Sequence, residues 1–358
     1  MKIVLTALTA LSVALVSAGT SQAVIVATGE GRQLGAPTGS LANAGWQYIG
    51  QIGAFTGIPI GPNHFVTAKH TGQGITGHVL NYQSVAYTVT GFSDIPNSDL
   101  RVSTVGGTFP SYAPLWNTSV DGTEVGRPMF VAGRGIARGR AIYGPVGSAS
   151  PVMPTSNNIS LLTDGDGERR AGGGPTPDPS YEFKGWEWGV NDNQQSWGNN
   201  IVEGAFSDPN LGQLIGFDFD LIDGAMEFEA AMAGGDSGGG VFVQNNAGVW
   251  KLAGVNLAVD GPFSRTPGGP YGFASLVDMG GYYIGTVANH VLVPDLAEPI
   301  PGFSYSTRIS SYRGPITTIT GVSLVPEPTS LSAIVLSAGI LLRRRRAIRR
   351  PDRVSETA

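Results

Sequence analysis

The sequence contains no cysteine and only four histidines among its 358 residues. The lack of cysteine excludes disulfides, cysteine-ligated zinc sites, iron–sulfur clusters and thiol nucleophiles. Any covalent chemistry must therefore use an oxygen or nitrogen nucleophile. Long helical patterns are also scarce, since no amphipathic helix of more than about three turns stands out before residue 270.

Turn residues are abundant instead. Glycine occurs 53 times and proline 24 times, which disagrees with a helix bundle or a coiled coil. Short alternating segments such as residues 85–90 lie between turn signals and predict an all-β body. With 41% hydrophobic residues the chain can bury a sizeable core. The best candidate for a helix covers residues 274–291, although three glycines weaken it.

The first 23 residues predict a signal peptide. Lys2 precedes an apolar run over residues 3–16, and Ala23 ends a small-residue cleavage site. We expect signal peptidase to cleave after Ala23 and the protein to be exported. The alternative is an N-terminal core helix, which the short apolar run disfavours.

The last 33 residues predict a second targeting signal. Pro326-Glu327-Pro328 precedes an apolar stretch over 329–342 and an arginine cluster over 343–346. The stretch is marginal as a transmembrane helix, which needs about 20 residues, and the arginines would stay cytoplasmic. This order resembles the PEP-CTERM sorting tail of Gram-negative bacteria, which implies transient membrane anchoring, an exosortase partner and a location in the envelope or outside the cell. A polybasic nucleic-acid tail, the alternative, lacks the preceding apolar run.

The body between these ends is acidic. The whole chain has a formal net charge of −5, and the two ends hold an excess of basic residues. The body is therefore more negative than the whole chain. This charge argues against nucleic acid as a partner.

A glycine-rich serine segment carries the strongest chemical signal. Residues 234–240 spell Gly-Gly-Asp-Ser-Gly-Gly-Gly directly before an apolar strand. A serine nucleophile needs a base, an oxyanion hole and a tight backbone. We predict Ser237 as the nucleophile, the Gly235 and Ser237 amides as the oxyanion hole, and Asp236 as the residue that holds the turn. A glycine-rich turn without chemistry is the alternative.

The base is predicted to be His70, which ends an apolar strand at the start of a turn. The other histidines lack comparable flanking residues: His64, His78 and His290. A buried carboxylate must orient the imidazole. Asp99 opens a strand with alternating aliphatic residues and is favoured over Asp94, which stands before a proline-containing turn.

These residues resemble the chymotrypsin-like serine peptidases. Thr67-Ala68-Lys69-His70, Asp99-Leu100 and Gly235-Asp236-Ser237-Gly238-Gly239 are similar to the three motifs of that family and follow the same order. Lys69 and Gly240 depart from the usual residues without removing a reacting atom. The resemblance implies two antiparallel β-barrels, a triad in the cleft between them, a C-terminal helix, and hydrolysis of protein or peptide substrates through an acyl-enzyme without a cofactor. We expect a monomer.

The resemblance also sets the domain boundaries. The N-terminal barrel would cover residues 24–130 and carry His70 and Asp99. The C-terminal barrel would cover 131–293 and carry Ser237, with a long surface insertion over about 145–200 and closing elements at 252–255 and 271–273. Residues 294–325 are Ser/Thr-rich and form either a linker or extra strands.

The register of the family places Ala231 at the base of the specificity pocket. Leu257, Ala258 and Val259 are predicted to line the same pocket. An uncharged base predicts an apolar substrate side chain before the scissile bond. Cleavage after Ala23 exposes Val24, and in activated family members the free N-terminus pairs with the aspartate before the serine, here Asp236.

Two weaker signals lie in the insertion. Asp164, Asp166 and Glu168 alternate as in a calcium loop but lack the flanks of an EF-hand, so a solvated acidic loop is the favoured interpretation. Trp186, Trp188 and Trp197 form either a binding face or packing contacts.

The leading hypothesis is an exported serine endopeptidase. One alternative is a protease-like envelope or matrix protein that binds without cleaving. Another is an acyltransferase that acts on non-peptide esters with the same chemistry.

Overall fold

The computed structural model describes residues 24–29, 31–145, 181–190, 193–221 and 226–321. The predicted signal peptide and sorting tail lie outside these residues. So do the calcium candidates Asp164, Asp166 and Glu168. These three predictions therefore stay predictions.

The N-terminal part of the body consists of short strands joined by tight turns. In chain order the first eight strands are β1 (Ile25–Val26), β2 (Gln33–Leu34), β3 (Gly50–Ile52), β4 (Phe55–Gly61), β5 (His64–Ala68), β6 (Val79–Tyr82), β7 (Val85–Asp94) and β8 (Leu100–Val105). Six of them close an antiparallel barrel in the order β3-β4-β5-β8-β7-β6. The barrel carries the predicted base and the predicted orienting carboxylate.

The period-two alternation in the sequence fills this barrel. Tyr87 and Val89 of β7 point inward, and their neighbours in the strand face solvent. They pack with Leu80 and Tyr82 of β6 and with Phe65 of β5. β6 and β7 therefore bury one face only, whereas β4, β5 and β8 are buried along nearly their whole length.

The rest of the body contains fourteen further described strands and two described α-helices. The strands are β9 (Pro128–Gly133), β10 (Arg138–Pro145), β11 (Tyr181–Trp188), β12 (Ser196–Ile201), β13 (Gly204–Asp208), β14 (Gly212–Asp218), β15 (Ala230–Ala231), β16 (Gly240–Gln244), β17 (Trp250–Val259), β18 (Phe263–Ser264), β19 (Ala274–Leu276), β20 (Tyr283–Gly285), β21 (His290–Leu292) and β22 (Phe303–Arg308). The helices are α1 (Thr118–Asp121) and α2 (Arg313–Thr320). Single 3₁₀ turns occur at Gly39–Leu41, Trp46–Tyr48, Lys69–Thr71 and Ile309–Tyr312.

An eight-stranded antiparallel sheet forms the second body, in the order β13-β14-β22-β17-β16-β9-β12-β2. The all-β prediction is thus confirmed, and the first of the two predicted antiparallel β-barrels is present as a closed barrel. Within the described residues, hydrogen bonds close only the first barrel into a ring. The second body also takes in the start of the chain, because β2 pairs with β12, and β1 pairs with β15. Burial of Val24 and Val26 in the core of this body explains that placement.

The predicted helix over residues 274–291 is wrong. That segment forms β19, β20 and most of β21, and the described helix near the C-terminus is α2 instead. Gly281 and Gly285 have φ angles of 83° and 126°, which a helix does not contain. β19 finds a sheet partner in β11, a strand far away along the chain. Tertiary pairing therefore decides this segment.

The segment predicted as an insertion is partly built into the sheets. β11 lies between β10 and β19, and β12 lies between β9 and β2. The tryptophans make packing contacts: Trp197 stacks on Phe130 at 5.6 Å between ring centroids, and Trp188 stacks on Phe273 at 4.9 Å. Residues 146–180 lie outside the described part of the chain.

The Ser/Thr-rich segment after residue 294 contributes β22, which lies between β14 and β17. It then continues into α2. Of the two alternatives for this segment, its described part contains one strand in the main sheet. Among the residues that the structure describes, no helix has the length and apolar character that a membrane crossing requires.

Candidate catalytic site

His70 is positioned by the end of a barrel strand. β5 ends at Ala68, and a single 3₁₀ turn over Lys69–Thr71 follows. Gly72 ends this turn with a φ of 69°, which glycine adopts without strain. The Lys69 amide donates a hydrogen bond to the Asp99 carbonyl at 2.7 Å, so the turn is fastened to the loop that carries the predicted orienting residue.

Asp99 meets His70 through the register of the barrel. β5 and β8 pair antiparallel with Ala68 opposite Leu100, which places the residues just beyond these two side by side. Asp99 Oδ2 lies 2.6 Å from His70 Nδ1, and Asp99 Oδ1 accepts the His70 backbone N–H at 2.8 Å. The Asp99 side chain is 7% exposed and the His70 side chain 15%. These two contacts to one carboxylate fix His70 through its backbone and its Nδ1, and they leave Nε2 available for another partner.

Asp94 has a different partner. Its two oxygens accept hydrogen bonds from Arg101 Nε at 2.6 Å and from Arg101 Nη2 at 3.0 Å. Both Asp94 oxygens are therefore engaged in a bidentate ion pair with Arg101. The Asp94 side chain is also 38% exposed, unlike the buried Asp99. The structure therefore brings Asp99, and not Asp94, to the imidazole.

Ser237 reaches the other edge of the same ring. Its Oγ lies 2.8 Å from His70 Nε2, across 167 residues of sequence. His64 is buried in β5, where burial lowers its pKa, and His290 lies in β21. The three side chains predicted as a triad thus form one chain of hydrogen bonds, with His70 in the middle.

Glycine is required at Gly238 by the junction of the two bodies. Its φ is 78°, and a Cβ there would lie 2.3 Å from the Thr56 carbonyl and 2.5 Å from Thr67 Oγ1. Its amide donates to the Asn256 carbonyl of β17 at 3.0 Å. The serine loop is therefore clamped between the barrel and the sheet.

Two backbone amides beside the serine are available as donors. Within the described residues, the Gly235 and Ser237 N–H groups have no hydrogen-bond acceptor. Gly235 has a φ of 92°, a backbone conformation in which a residue with a side chain would be strained. Unpaired N–H groups next to a nucleophile are what an oxyanion hole needs.

Asp236 holds the loop from beneath. The residue is 1% exposed. Its carboxylate accepts the Gly135 amide at 2.7 Å and the Ala233 amide at 2.8 Å. Burial raises the pKa of Asp236 to about 7, although backbone hydrogen bonds from Ala233, Gly135 and Val24 act in the opposite direction. Val24, the predicted new N-terminus, therefore reaches Asp236 through its backbone N–H.

The predicted pocket residues separate into two groups. Ala231 and Val259 line a small recess to which none of residues 234–240 contributes. Leu257 and Ala258 instead pack in a cluster with Leu214. The recess also holds Asp260 and residues of β22, which the sequence analysis missed. The sequence signal for Asp260 was its position directly after a long apolar strand, β17.

A group of three carboxylates elsewhere has an internal cation. Ligand atoms of Glu182, Asp278 and Asp295 lie within 4.8 Å of one another. Lys184 Nζ contacts all three, at 2.9 Å from Asp295 Oδ1 and at 2.5 Å from Glu182 Oε1. Burial disfavours the charged lysine, but the three carboxylates outweigh it and raise the pKa of Lys184. The ammonium group therefore takes the place of a metal ion.

Comparison with known proteins adds little to this geometry. No protein-family profile matches the sequence, and no curated protein matches it. Among solved structures, the chain is similar to Rv3671c from M. tuberculosis H37Rv, a serine-to-alanine mutant in an inactive form. The identity is 12%, the match covers 82% of this chain and 100% of the other, and the TM-score is 0.38.

Proposed function

We propose that the protein is an exported serine endopeptidase with Ser237 as nucleophile, His70 as general base and acid, and Asp99 as the orienting carboxylate. The observation that carries the proposal is the continuous hydrogen-bond chain from Asp99 Oδ2 through His70 to Ser237 Oγ, with contacts of 2.6 and 2.8 Å. Both distances suit proton transfer without further movement.

The geometry supports a defined first step. With Nδ1–H donated to Asp99, the His70 Nε2 lone pair faces the Ser237 hydroxyl and accepts its proton. The freed oxygen attacks the substrate carbonyl, and a tetrahedral oxyanion forms. Asp99 stabilises the imidazolium that results. Because the Asp99 side chain is largely buried, water screens this interaction little.

The amides of Gly235 and Ser237 would then stabilise the oxyanion. His70 returns its proton to the leaving amine, the carbon–nitrogen bond breaks, and the acyl group stays on Ser237. In the second half, a water molecule gives a proton to His70 and attacks the acyl-enzyme. The carboxylic acid product leaves and Ser237 regains its proton.

Labelling with a serine-reactive phosphonate tests the proposal. We expect the protein to be labelled at Ser237 and to cleave peptides, and both properties to disappear in Ser237→Ala. Ser207, an exposed serine of β13, supplies the control: Ser207→Ala should be labelled like the unaltered protein. A folded protein whose Ser237 stays unlabelled while peptides survive would favour the binding protein instead. Cleavage of esters but not of peptides would favour acyl transfer.

We also propose export through the signal peptide, cleavage after Ala23, and sorting through the PEP-CTERM tail to the envelope or the exterior. The sequence patterns of residues 1–23 and 326–358 support this part. N-terminal sequencing of the exported protein tests it, since any start other than Val24 would contradict the assigned cleavage site.

A further inference from the structure

The lysine directly before the candidate base bonds twice to the loop that carries Asp99. Lys69 begins the single turn that follows β5. Its backbone amide donates a hydrogen bond to the Asp99 carbonyl at 2.7 Å, and its side-chain Nζ donates to the Ser98 carbonyl, also at 2.7 Å. One residue therefore holds two successive carbonyls of the same loop. Lys69 is also the residue at which the histidine motif departs from the usual sequence.

The carbonyls of this loop, residues 95–99, have different donors. The Ile95 carbonyl accepts the Ser98 hydroxyl at 2.9 Å, which is a bond within the loop. The Asn97 carbonyl accepts the Tyr312 hydroxyl at 2.9 Å, from the segment that follows β22. Among the described residues, Lys69 Nζ is the one hydrogen-bond donor to the Ser98 carbonyl. Because Ser98 is buried, its carbonyl has little access to water as a replacement donor.

The backbone of the loop needs these contacts. Asn97 has a φ of 53°, in the left-handed region that residues with a side chain adopt infrequently. Such a conformation persists only where the surrounding structure holds it in place. The Lys69 side chain bonds to the next residue, Ser98, and so holds the chain between this turn and Asp99. Its positive charge makes this hydrogen bond stronger than one from a neutral donor.

The Lys69 contacts leave the Asp99 carboxylate to His70. Asp99 Oδ1 accepts the His70 backbone N–H at 2.8 Å, and Oδ2 lies 2.6 Å from His70 Nδ1. No ion pair joins Lys69 to Asp99 in the described part of the chain. An ammonium group paired directly with the carboxylate would compete with the imidazole for its oxygens. Bonding to the neighbouring carbonyl fixes the carboxylate without this competition.

We propose that Lys69 is a positioning residue, which holds the Asp99 carboxylate in line with His70 by bonding to the Ser98 carbonyl. Its effect on rate rests on the proposed peptidase function. Lys69 takes no part in proton transfer, because it acts through the backbone of residues 98 and 99. Loss of its side chain would let the carboxylate move away from Nδ1, and the imidazole would lose its orientation toward Ser237.

Peptide cleavage by two variants of the full chain gives the first test. Lys69→Met keeps a long apolar side chain and removes the donors, whereas Lys69→Arg keeps the charge and the donors. We expect kcat to fall about 10-fold or more in Lys69→Met with KM within about twofold, and Lys69→Arg to recover most of the loss. An unchanged kcat in Lys69→Met, or a loss that Lys69→Arg does not recover, would overturn the inference.

Proton NMR separates this inference from the proposed function, because it needs no catalysis. In Ser237→Ala the Nδ1 proton of His70 still lies between the imidazole and Asp99, and a proton in such a contact resonates at low field. Its absence from His70→Gln assigns the resonance. We expect it to persist when Lys69→Arg is added and to broaden or disappear when Lys69→Met is added. A resonance unchanged by Lys69→Met would overturn the positioning role even if the parent protein cleaves peptides. Loss of the resonance in a protein whose parent neither cleaves peptides nor is labelled would support the positioning role and overturn the peptidase function.

Lys251 supplies a matched control for general loss of stability. In the second body, its Nζ lies 2.9 and 3.1 Å from the two carboxylate oxygens of the buried Asp121. Lys251→Met leaves that carboxylate without its cation, so it should lower the resistance to urea at least as much as Lys69→Met. It should leave kcat and the low-field resonance unchanged. If Lys251→Met also removed the resonance, loss of stability would explain both results and the positioning role would be overturned.

Discussion

The barrel and the eight-stranded sheet position their parts of the site in different ways. In the barrel, His70 and Asp99 are 29 residues apart and meet because β5 and β8 are neighbours in a fixed register. In the sheet, the two neighbours of Ser237 are fixed by distant segments: Asp236 by Gly135 and Val24, and Gly238 by Asn256. The difference teaches that half of the site follows from local strand pairing. The other half depends on the assembly of the whole second body.

The largest loss of activity should come from breaking the contact between His70 and Asp99 in the barrel. Asp99→Asn removes the carboxylate that fixes the imidazole, so we expect kcat to fall roughly 10³- to 10⁴-fold. Asp94→Asn is the control, because Asp94 pairs with Arg101 on the same barrel and does not touch His70. Steady-state peptide cleavage measures both. Equal losses in the two variants would show that the Asp99 contact has no special role.

The next effect concerns the junction of the two bodies. Gly238→Ala would force a Cβ to 2.3 Å from the Thr56 carbonyl at a φ of 78°. Strain and overpacking should together destabilise the fold by about 3 kcal/mol or more. Gly248→Ala is the control, since Gly248 has a φ of 79° with nothing within 4 Å of the added Cβ, and should lose only about 1 kcal/mol. Urea unfolding measures both, and equal losses would contradict a tight junction.

A third prediction concerns Asp236 in the second body and the pH dependence of stability. Asp236 has a pKa of about 7 in the fold against 3.8 as its ordinary value. A folded acid with a raised pKa binds its proton more tightly than the unfolded chain does. Its stabilising contribution is therefore present below about pH 4 and is lost as pH rises to about 7. In a form that keeps residues before Val24, Asp236→Asn should remove this loss, which amounts to about 4 kcal/mol, measured by urea unfolding between pH 4 and 8.

A chain that begins at Val24 with a free amine sharpens the same test. The ammonium group would lower the pKa of Asp236, so stability should no longer fall between pH 4 and 7. We also expect faster peptide cleavage than in the extended form. Identical pH profiles and identical rates in the two forms would show that the new N-terminus does not pair with Asp236.

The smallest expected effect concerns the hydroxyl of Tyr312, which links the two bodies. Tyr312 OH donates to the Asn97 carbonyl at 2.9 Å and accepts the Gln213 amide at 2.8 Å. Tyr312→Phe should destabilise the fold by about 1 kcal/mol. Tyr112, which is 42% exposed, supplies the control, and Tyr112→Phe should leave the melting temperature unchanged. A shift of the same size in both variants would contradict a role in joining the bodies.

Several sequence predictions rested on local chemistry and agree with the structure. The alternation in β7 predicted a strand, and the flanks of His70 and Asp99 predicted residues at a strand end. The helix prediction over 274–291 failed because β19 depends on its pairing with β11, which no local pattern contains. The sequence left residues 294–325 open between a linker and extra strands for a similar reason, since β22 lies between two strands distant from it in sequence.

The sequence by itself determined the all-β class, because turn residues and two-residue alternation act over a few neighbouring positions. It also determined which side chains are chemically able to act as nucleophile and base. Only the tertiary structure decided that Asp99 and not Asp94 meets His70, and that Asp260 lines the recess. These outcomes depend on strand register and on contacts between distant segments, and both are set by the packing of the whole chain.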